Sequence, residues 1–438
     1  MTAEIAIMNK QAIAIAADSA VTLRQEDGQK IFTSAHKVFA LSKYHPVGIM
    51  VYGSAELMGV PWETIIKTYR NTLGQTEFVT LGKYANHFIN FLNNNNQLFP
   101  ETEQKNHVEI TIYSYFQYIR NGIFEKIKTV LAGQKELEEK KIKEITSQII
   151  RSDYDLWKKA DPLPSVPKGY AKSIVDKYQD IINKAKNEVF EKLPLTMPLS
   201  NKLTEIAVNL FMKFPRGRTR SGLSGIVVCG FGKKDIFPSL QPFSIDGIAN
   251  DFVKCKKDKE LRISFDNSAA IVPFAQSDMV ETFMMGIDPN YDRAIQKDLY
   301  RLLLRYSEVI VDSIEKLNQT EKKDLKEKLK EISLEMFQQY HTQMGSYQRE
   351  AYINPVLTVA AMLPKSELAS MAEALVNLTS FKRKISMAEE TVGGPVDVAV
   401  ISKADGFIWI KRKHYFTPEW NPQFFANYYR EEQNAKKD

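Results

Sequence analysis

Cysteine is scarce in this chain, with two in 438 residues, Cys229 and Cys255. So few in so long a chain cannot build a disulfide framework, and a reducing cytoplasm is the compartment they suit. Cys229 falls in the apolar run Ile226-Val227-Val228-Cys229, the setting of a buried thiol, whereas Cys255 sits among lysines. No uninterrupted run of about 18 apolar residues occurs, so no membrane span is expected. The first residues lack a basic segment followed by a long apolar one, so no secretory signal is expected either. Histidine is also rare. The six (His36, His45, His87, His107, His341 and His414) form no short-spaced pair and no His-Glu-x-x-His pattern, which argues against a metal site. Charge of one sign barely prevails, with 59 Lys+Arg against 53 Asp+Glu and a formal net charge of +6. So mild an excess reads as a lysine-rich solvated surface rather than a nucleic-acid interface. No internal repeat of the solenoid kind is visible.

What is present fits a globular protein with a substantial core: 44% hydrophobic and 26% charged residues, in a length suited to one large domain or two to three ordinary ones. The first hundred residues read as strands followed by helices. Glu4 to Met8 is a short strand and Asn9-Lys10-Gln11 a turn. Ala12 to Ala17 alternates small and branched residues at period two, as a strand with tightly covered faces would. Lys37 to Leu41 and Val47 to Tyr52 read as a second hairpin. Gly53-Ser54 then opens a helical stretch with Ser54 as its N-cap. Residues 76–98 form a further helix, with Leu81, Tyr84, Phe88, Phe91 and Leu92 on one face.

From about residue 99 to 215 the character shifts to Lys/Glu-rich helical patterns, read as a helical insertion. Strand character returns at Gly225 to Gly230 and Ile236 to Ile245. Residues 290–350 read as a second helical insertion, charged between Glu315 and Glu331, with an apolar stripe of Leu302, Leu303, Leu304, Val309 and Ile310. Pro364 starts a helix carrying Leu368, Met371, Leu375 and Leu378 at helical spacing. Two strands follow, Pro395 to Ile401 and Phe407 to Lys411, joined by a turn with the hairpin dipeptide Asp405-Gly406.

The residues that carry chemistry are found by asking what a hydroxyl needs to attack an amide at neutral pH. It needs a base, because the free alcohol is a weak nucleophile. An N-terminal residue supplies one in its own α-amino group, whose ordinary pKa is roughly 7.7–8.0. A nearby lysine ammonium lowers that value, a carboxylate holds the lysine, and backbone N–H groups meet the oxyanion. Thr2 becomes N-terminal if Met1 is removed. Asp18 ends the Ala12 to Ala17 strand, Lys37 opens the next, and Gly53 ends the strand Val47 to Tyr52.

At these residues the chain resembles the proteasome β subunit and its bacterial relatives, the threonine-type N-terminal-nucleophile hydrolases. The resemblance runs through Thr2-Ala3-Glu4-Ile5-Ala6-Ile7, Ala14-Ile15-Ala16-Ala17-Asp18-Ser19, Lys37-Val38-Phe39 and Gly48 to Ala55. It implies that Thr2 is the nucleophile, Asp18 and Lys37 the charge pair beside it, and Gly53 the oxyanion donor. The lysine lies a few residues later than in the family, implying a longer loop around Glu26 to His36. Thr391-Val392-Gly393-Gly394-Pro395-Val396-Asp397-Val398 resembles the family's Ser-Gly-Gly strand entry. The family supports its N-terminal amine with an Asp and a Ser ahead of those glycines. Glu389 and Val392 stand at the corresponding positions, with Thr391 a near neighbour, and Ser277 is a candidate for a second supporting serine.

The implied fold is α+β, a four-layer αββα sandwich built from residues 1–98, 216–289 and 351–420, with helical insertions at 99–215 and 290–350 and a charged tail at 421–438. The implied activity is hydrolysis of peptide or unfolded-protein substrates through a threonyl ester, with no cofactor. A homo-oligomer is expected, while any ATPase regulator is left open. Two other readings stay open: a catalytically silent proteasome-like scaffold, and an N-terminal-nucleophile amidase acting on small molecules.

Overall fold

The computed structural model describes residues 3–25, 28–132, 138–215, 222–386 and 392–426. In chain order its strands are β1 (Ala3–Asn9), β2 (Ala12–Ala17), β3 (Val21–Gln25), β4 (Gly28–Phe32), β5 (Val38–Ala40), β6 (Val47–Gly53), β7 (Glu56–Leu57), β8 (Val60–Pro61), β9 (Ser224–Gly230), β10 (Ser239–Ala249), β11 (Phe252–Lys257), β12 (Leu261–Arg262), β13 (Ala269–Ala275), β14 (Asp397–Ser402) and β15 (Gly406–Lys411). Its helices are α1 (Trp62–Leu73), α2 (Leu81–Asn93), α3 (Glu101–Leu131), α4 (Glu139–Lys159), α5 (Tyr170–Val189), α6 (Met197–Asn209), α7 (Asp278–Met285), α8 (Pro289–Ser313), α9 (Gln319–Gln348), α10 (Asn354–Met362) and α11 (Lys365–Ile385). Helices and antiparallel sheets together make this an α+β protein.

Two compact units share the chain. The first gathers the described parts of Met1–Val38, Ile236–Ser239 and Arg262–Asp438; the second gathers Phe39–Asp235 and Leu240–Leu261. The 99–215 block therefore falls within the second unit and the 290–350 block within the first.

The first unit is organised on a five-stranded sheet in the order β13-β1-β2-β14-β15. Period-two alternation in β2 sorts its side chains by size. Ala12, Ala14 and Ala16 join a cluster with Ile5, Ile7, Val398 and Val400, and against it pack Leu368, Ala372, Leu375 and Val376 of α11. Methyl-sized side chains let the helix come close to the sheet. Ala6, Met8, Ile13 and Ile15 point to the opposite face and are fully buried as well. Both faces of the central strands are thus covered, which is why β2 carries no polar residue.

At the β1–β2 turn the Asn9 side chain is wholly buried and fully employed. Its amide donates to the carbonyls of Ala360 (3.1 Å) and Leu363 (2.9 Å), and its oxygen accepts from the N–H groups of Gln11 (2.9 Å) and Ala12 (3.3 Å). One side chain so closes the turn and ties it to the end of α10.

Helices α8 and α9 pack pairwise through Tyr300 on Phe337, with ring centroids 5.4 Å apart, and a Ser307–Ser333 hydrogen bond of 2.8 Å. A capping box of Asn318 and Glu321 starts α9. Of the apolar stripe on α8, Leu302, Val309 and Ile310 are exposed.

The second unit holds the sheet β11-β10-β9-β6-β5. Helices α1 and α2 pack on it through Trp62, Ile66, Tyr69, Tyr84 and Phe88. The helix expected directly after Gly53-Ser54 is displaced. Met58 and Gly59 both take left-handed backbone angles, so Glu56 to Pro61 closes as a small hairpin of β7 and β8, and α1 begins only at Trp62. The Ser54 hydroxyl donates instead to the carbonyl of Glu56 (2.9 Å). Helices α3 to α6 bury a core of their own, including Ile112, Phe116, Trp157, Ile174 and Ile182, and Ala249 and Phe252 of the sheet join it.

Replacing Asn9 by alanine would remove these four hydrogen bonds, of which those to the Ala360 carbonyl and from the Ala12 N–H are buried. The Asn9→Ala variant is expected to lose about 3 kcal/mol of stability, the cost of leaving several buried polar groups unsatisfied. Urea unfolding followed by circular dichroism measures it, and a loss below about 1 kcal/mol would contradict this account of the turn.

Candidate functional site

The site in the first unit is built outward from the Asp18 carboxylate. Asp18 follows directly on β2, where the β1–β2 ladder has just ended with Glu4 opposite Ala17. Its backbone N–H donates to the carbonyl of Ala3 (3.1 Å), and its Oδ1 accepts from the N–H of Ala3 (3.0 Å). The same oxygen accepts from Lys37 Nζ at 2.6 Å, in a pair whose side chains are 0% and 5% exposed. Oδ2 accepts from the N–H groups of Ala20 (3.2 Å) and Gly393 (2.9 Å). A buried carboxylate with four donors is fully satisfied, which is the condition for keeping such a charge out of water.

Lys37 lies just ahead of β5, five residues after a two-stranded ribbon of β3 and β4 in which Val21 stands opposite Phe32. The stretch expected to be a loop around Glu26 to His36 is therefore partly strand; residues 26 and 27 lie outside the described residues. The Gly-Gly segment is laced to the same place. Ser19 donates from its N–H to the Gly393 carbonyl (3.1 Å) and from its hydroxyl to the Pro395 carbonyl.

A second charge cluster adjoins the first. Asp397, at the start of β14, is fully buried, and its carboxylate accepts from the N–H of Lys413 (2.8 Å) and from Lys413 Nζ, with His36 Nδ1 at 3.6 Å. Burial alone would raise the Asp397 pKa, but the nearby His36 imidazole and the hydrogen bonds from Lys413 outweigh it and hold the carboxyl below its ordinary value. Lys413 is also pushed down. An isolated ion pair would raise the lysine, but here burial, helped by repulsion from Lys37, overrides the pull of Asp397. These three residues were missed by sequence reasoning. The signal was present in Val396-Asp397-Val398, an acid between two valines in a strand, which calls for a buried partner.

The remaining candidates fall as follows. Thr2, Glu389 and Thr391 lie outside the described residues. Val392, at the position where the resemblance expects a serine, is buried among apolar neighbours of the first unit's core. Ser277 stands at the N-cap position of α7 and makes no side-chain capping bond. It lies two residues beyond Ala275, which pairs with Ala3. Gly53 belongs to the second unit. It ends β6 exposed, with φ +82°, and an added Cβ would sit 2.4 Å from the Leu223 carbonyl oxygen, so only glycine fits there.

Other chemistries find little here. Burial pushes both thiols, Cys229 and Cys255, up to about 12, which disqualifies them as nucleophiles at neutral pH. Among the described residues no group of three or more His, Cys, Asp or Glu side chains is placed to hold a metal ion, and no helix is long and apolar enough to cross a membrane. A scan against known protein families finds no match, and no curated protein sequence matches the chain.

Asp397 is the counter-charge for a lysine that is nine-tenths buried. The Asp397→Asn variant is expected to lose about 3 kcal/mol at pH 7, because an uncompensated buried ammonium remains. Adding Lys413→Met should recover part of that loss. The depressed Asp397 pKa stabilises the fold above the unfolded value of about 4, and this contribution disappears as pH falls through the folded value. The gap between wild type and Asp397→Asn should accordingly narrow below about pH 4. A gap that is constant with pH in chemical denaturation would refute the assignment.

Proposed function

We propose that this chain is a threonine-type N-terminal-nucleophile hydrolase that cleaves peptide amide bonds once Met1 is removed. The observation that carries the reading is the Asp18 carboxylate, which holds Lys37 Nζ and the N–H of Ala3, the residue bonded to Thr2, on a single oxygen. In the proposed reaction the Thr2 hydroxyl attacks the substrate carbonyl carbon while the Thr2 α-amine takes its proton. The Lys37 ammonium favours the neutral amine by repulsion. The tetrahedral adduct collapses, the amine returns the proton to the leaving nitrogen, and a threonyl ester remains. Water then attacks that ester by the same proton route. The oxyanion role of the Gly53 N–H, and supporting roles for Ser277, Glu389 and Thr391, belong to this proposal and rest on the resemblance to proteasome β subunits. So does the four-layer αββα arrangement; in its favour, both faces of β1 and β2 are buried while α11 covers one of them. A homo-oligomer belongs to it too, and the exposed Leu302, Val309 and Ile310 on α8 speak for one.

One observation favours a second reading, the catalytically silent scaffold. Where the resemblance expects a supporting serine, Val392 is packed in the core.

The intact mass of the purified protein separates the two, since only a chain lacking Met1 can use the Thr2 amine. With fluorogenic peptides, Thr2→Ala is expected to cut turnover by at least about 10³-fold while circular dichroism stays unchanged; Lys37→Ala should cut it as far but also lower stability, because it leaves the buried Asp18 carboxylate without its cation. Retention of Met1 together with unchanged turnover in Thr2→Ala would refute the hydrolase reading. Light scattering tests the assembly, and a strictly monomeric mass would contradict it.

A further inference from the structure

The second unit carries a groove of about 1410 Å³ that the hydrolase reading does not use, running along β11, the end strand of its sheet. Strand β11 returns from β10 around a tight turn in which Asn250 and Asp251 both take left-handed angles. In an antiparallel ladder, alternate residues turn their N–H and C=O groups away from the partner strand. Val253 and Ile248 are such a pair: the Val253 N–H donates to Asn93 Oδ1 (2.7 Å) and the Ile248 N–H to Met58 Sδ (3.1 Å). A bulge at Asp246 interrupts β10 but leaves β11 continuous, so the alternation runs on. Cys255 and Lys257 therefore turn their backbone groups to the same edge as Val253. Asn93 does for Val253 what a neighbouring strand would do, and the edge beyond it lies in the groove.

The walls stand on either side of the sheet plane. One is α2, whose Phe88 and Leu92 share a cluster with Val253 and Cys255. Asn86 and Asn90 of this helix, with Asn94 at its cap, recur every fourth residue, and their exposed amides each offer donors and an acceptor to the groove. The other wall is the end of α4 and the segment after it, with Leu156, Pro162, Leu163 and Pro164. It is held in place: the Leu163 N–H donates to the Met212 carbonyl (2.9 Å), and Lys213 Nζ to the Trp157 carbonyl (2.9 Å). The charges along the groove do not cancel. Asp251 is engaged by Gln104 (2.8 Å) and Lys256 by Asp258 (3.0 Å). That leaves Lys159 and Lys257, both exposed, against Asp161, which already feels the charge of Lys213.

We propose that this groove takes up an extended acidic peptide as an added strand on β11. The peptide backbone pairs with Cys255 and Lys257, and its side chains point alternately to the asparagine wall and to the leucine and proline wall. Lys257 shares the face of Val253 and Cys255, the face that meets α2, so the acids lie on that side and apolar side chains on the other. The excess of lysine selects the sign of the charge. The inference stands independently of the hydrolase reading and concerns residues of the second unit only.

Fluorescence anisotropy of the full chain with a labelled hexapeptide of three Glu-Val repeats tests it. Saturable binding is expected, weakening as salt is added. Hydrogen exchange followed by mass spectrometry should slow in the fragment covering Phe252–Lys257 when the probe is bound. The same probe N-methylated on every residue cannot pair with the edge, and one of three Lys-Val repeats carries the wrong charge. Each is expected to bind at least about tenfold more weakly. Lys257→Glu, an exposed substitution, should weaken the acidic probe by about as much and favour the basic one, with thermal unfolding unchanged. Thr2→Ala should bind like wild type, so loss of hydrolysis and loss of binding are read separately. Absence of binding in the millimolar range with folded wild type overturns the proposal. So does binding without slower exchange in β11, undiminished affinity for the N-methylated probe, or an unaltered Lys257→Glu. Slower exchange in β11 that rises with protein concentration alone would assign the edge to a second copy of the chain and overturn it as well.

Discussion

One carboxylate organises the first unit. Asp18 accepts from Ala3, Ala20, Lys37 and Gly393, and so joins the beginning of the chain, the strand that follows it, the ribbon after that and the glycine segment ahead of the last hairpin. Backbone donors account for three of these four bonds. They hold the charge in place whatever the lysine does, and the lysine in turn is held where the backbone has put the carboxylate. Such an arrangement is costly to bury and tolerable only when complete, because a buried charge with a missing partner destabilises far more than the pair contributes.

Much of this was legible in the chain, and the reasons differ from element to element. The strand Ala12–Ala17 was read to the residue, because its period-two alternation has one meaning in three dimensions: alanines beneath a helix, isoleucines on the other face. Asp18 and Lys37 were singled out by a chemical requirement, and the structure brings them to 2.6 Å. The hairpin after Gly53 was missed because Met58 adopts a left-handed conformation that its side chain does not advertise, so helical expectation ran on too early. Helices α3 and α6 were not picked out within a block read only as helical. Asp397 was quoted within a motif but not recognised as a charge centre, since its partners His36 and Lys413 lie far off in sequence at positions that look like surface basic residues.

The two units solve the burial problem differently. In the first, α11 covers one side of a sheet whose strands are short and small-sided, with α10 packed on β1 and β13. In the second, the helical block 99–215 makes a core large enough to stand beside the sheet, joined among the described residues by Ala249 and Phe252. Its helices nevertheless come close where glycine allows, and at that place the sheet is bulged and charged rather than smooth and apolar.

The pairing of β2 with β14 sets a timetable for synthesis. Ala17 must wait for Asp397 to form its ladder, and Asp18 must wait for Gly393. At cellular rates of elongation that interval is on the order of a minute, during which the apolar edge of β2 has no neighbour on that side. The charge centre around Asp18 can close only after most of the chain has left the ribosome. Any product that stops before the glycine segment lacks one of Asp18's four donors and the β14 neighbour of β2, so prematurely ended chains are left without a completed Asp18 cluster.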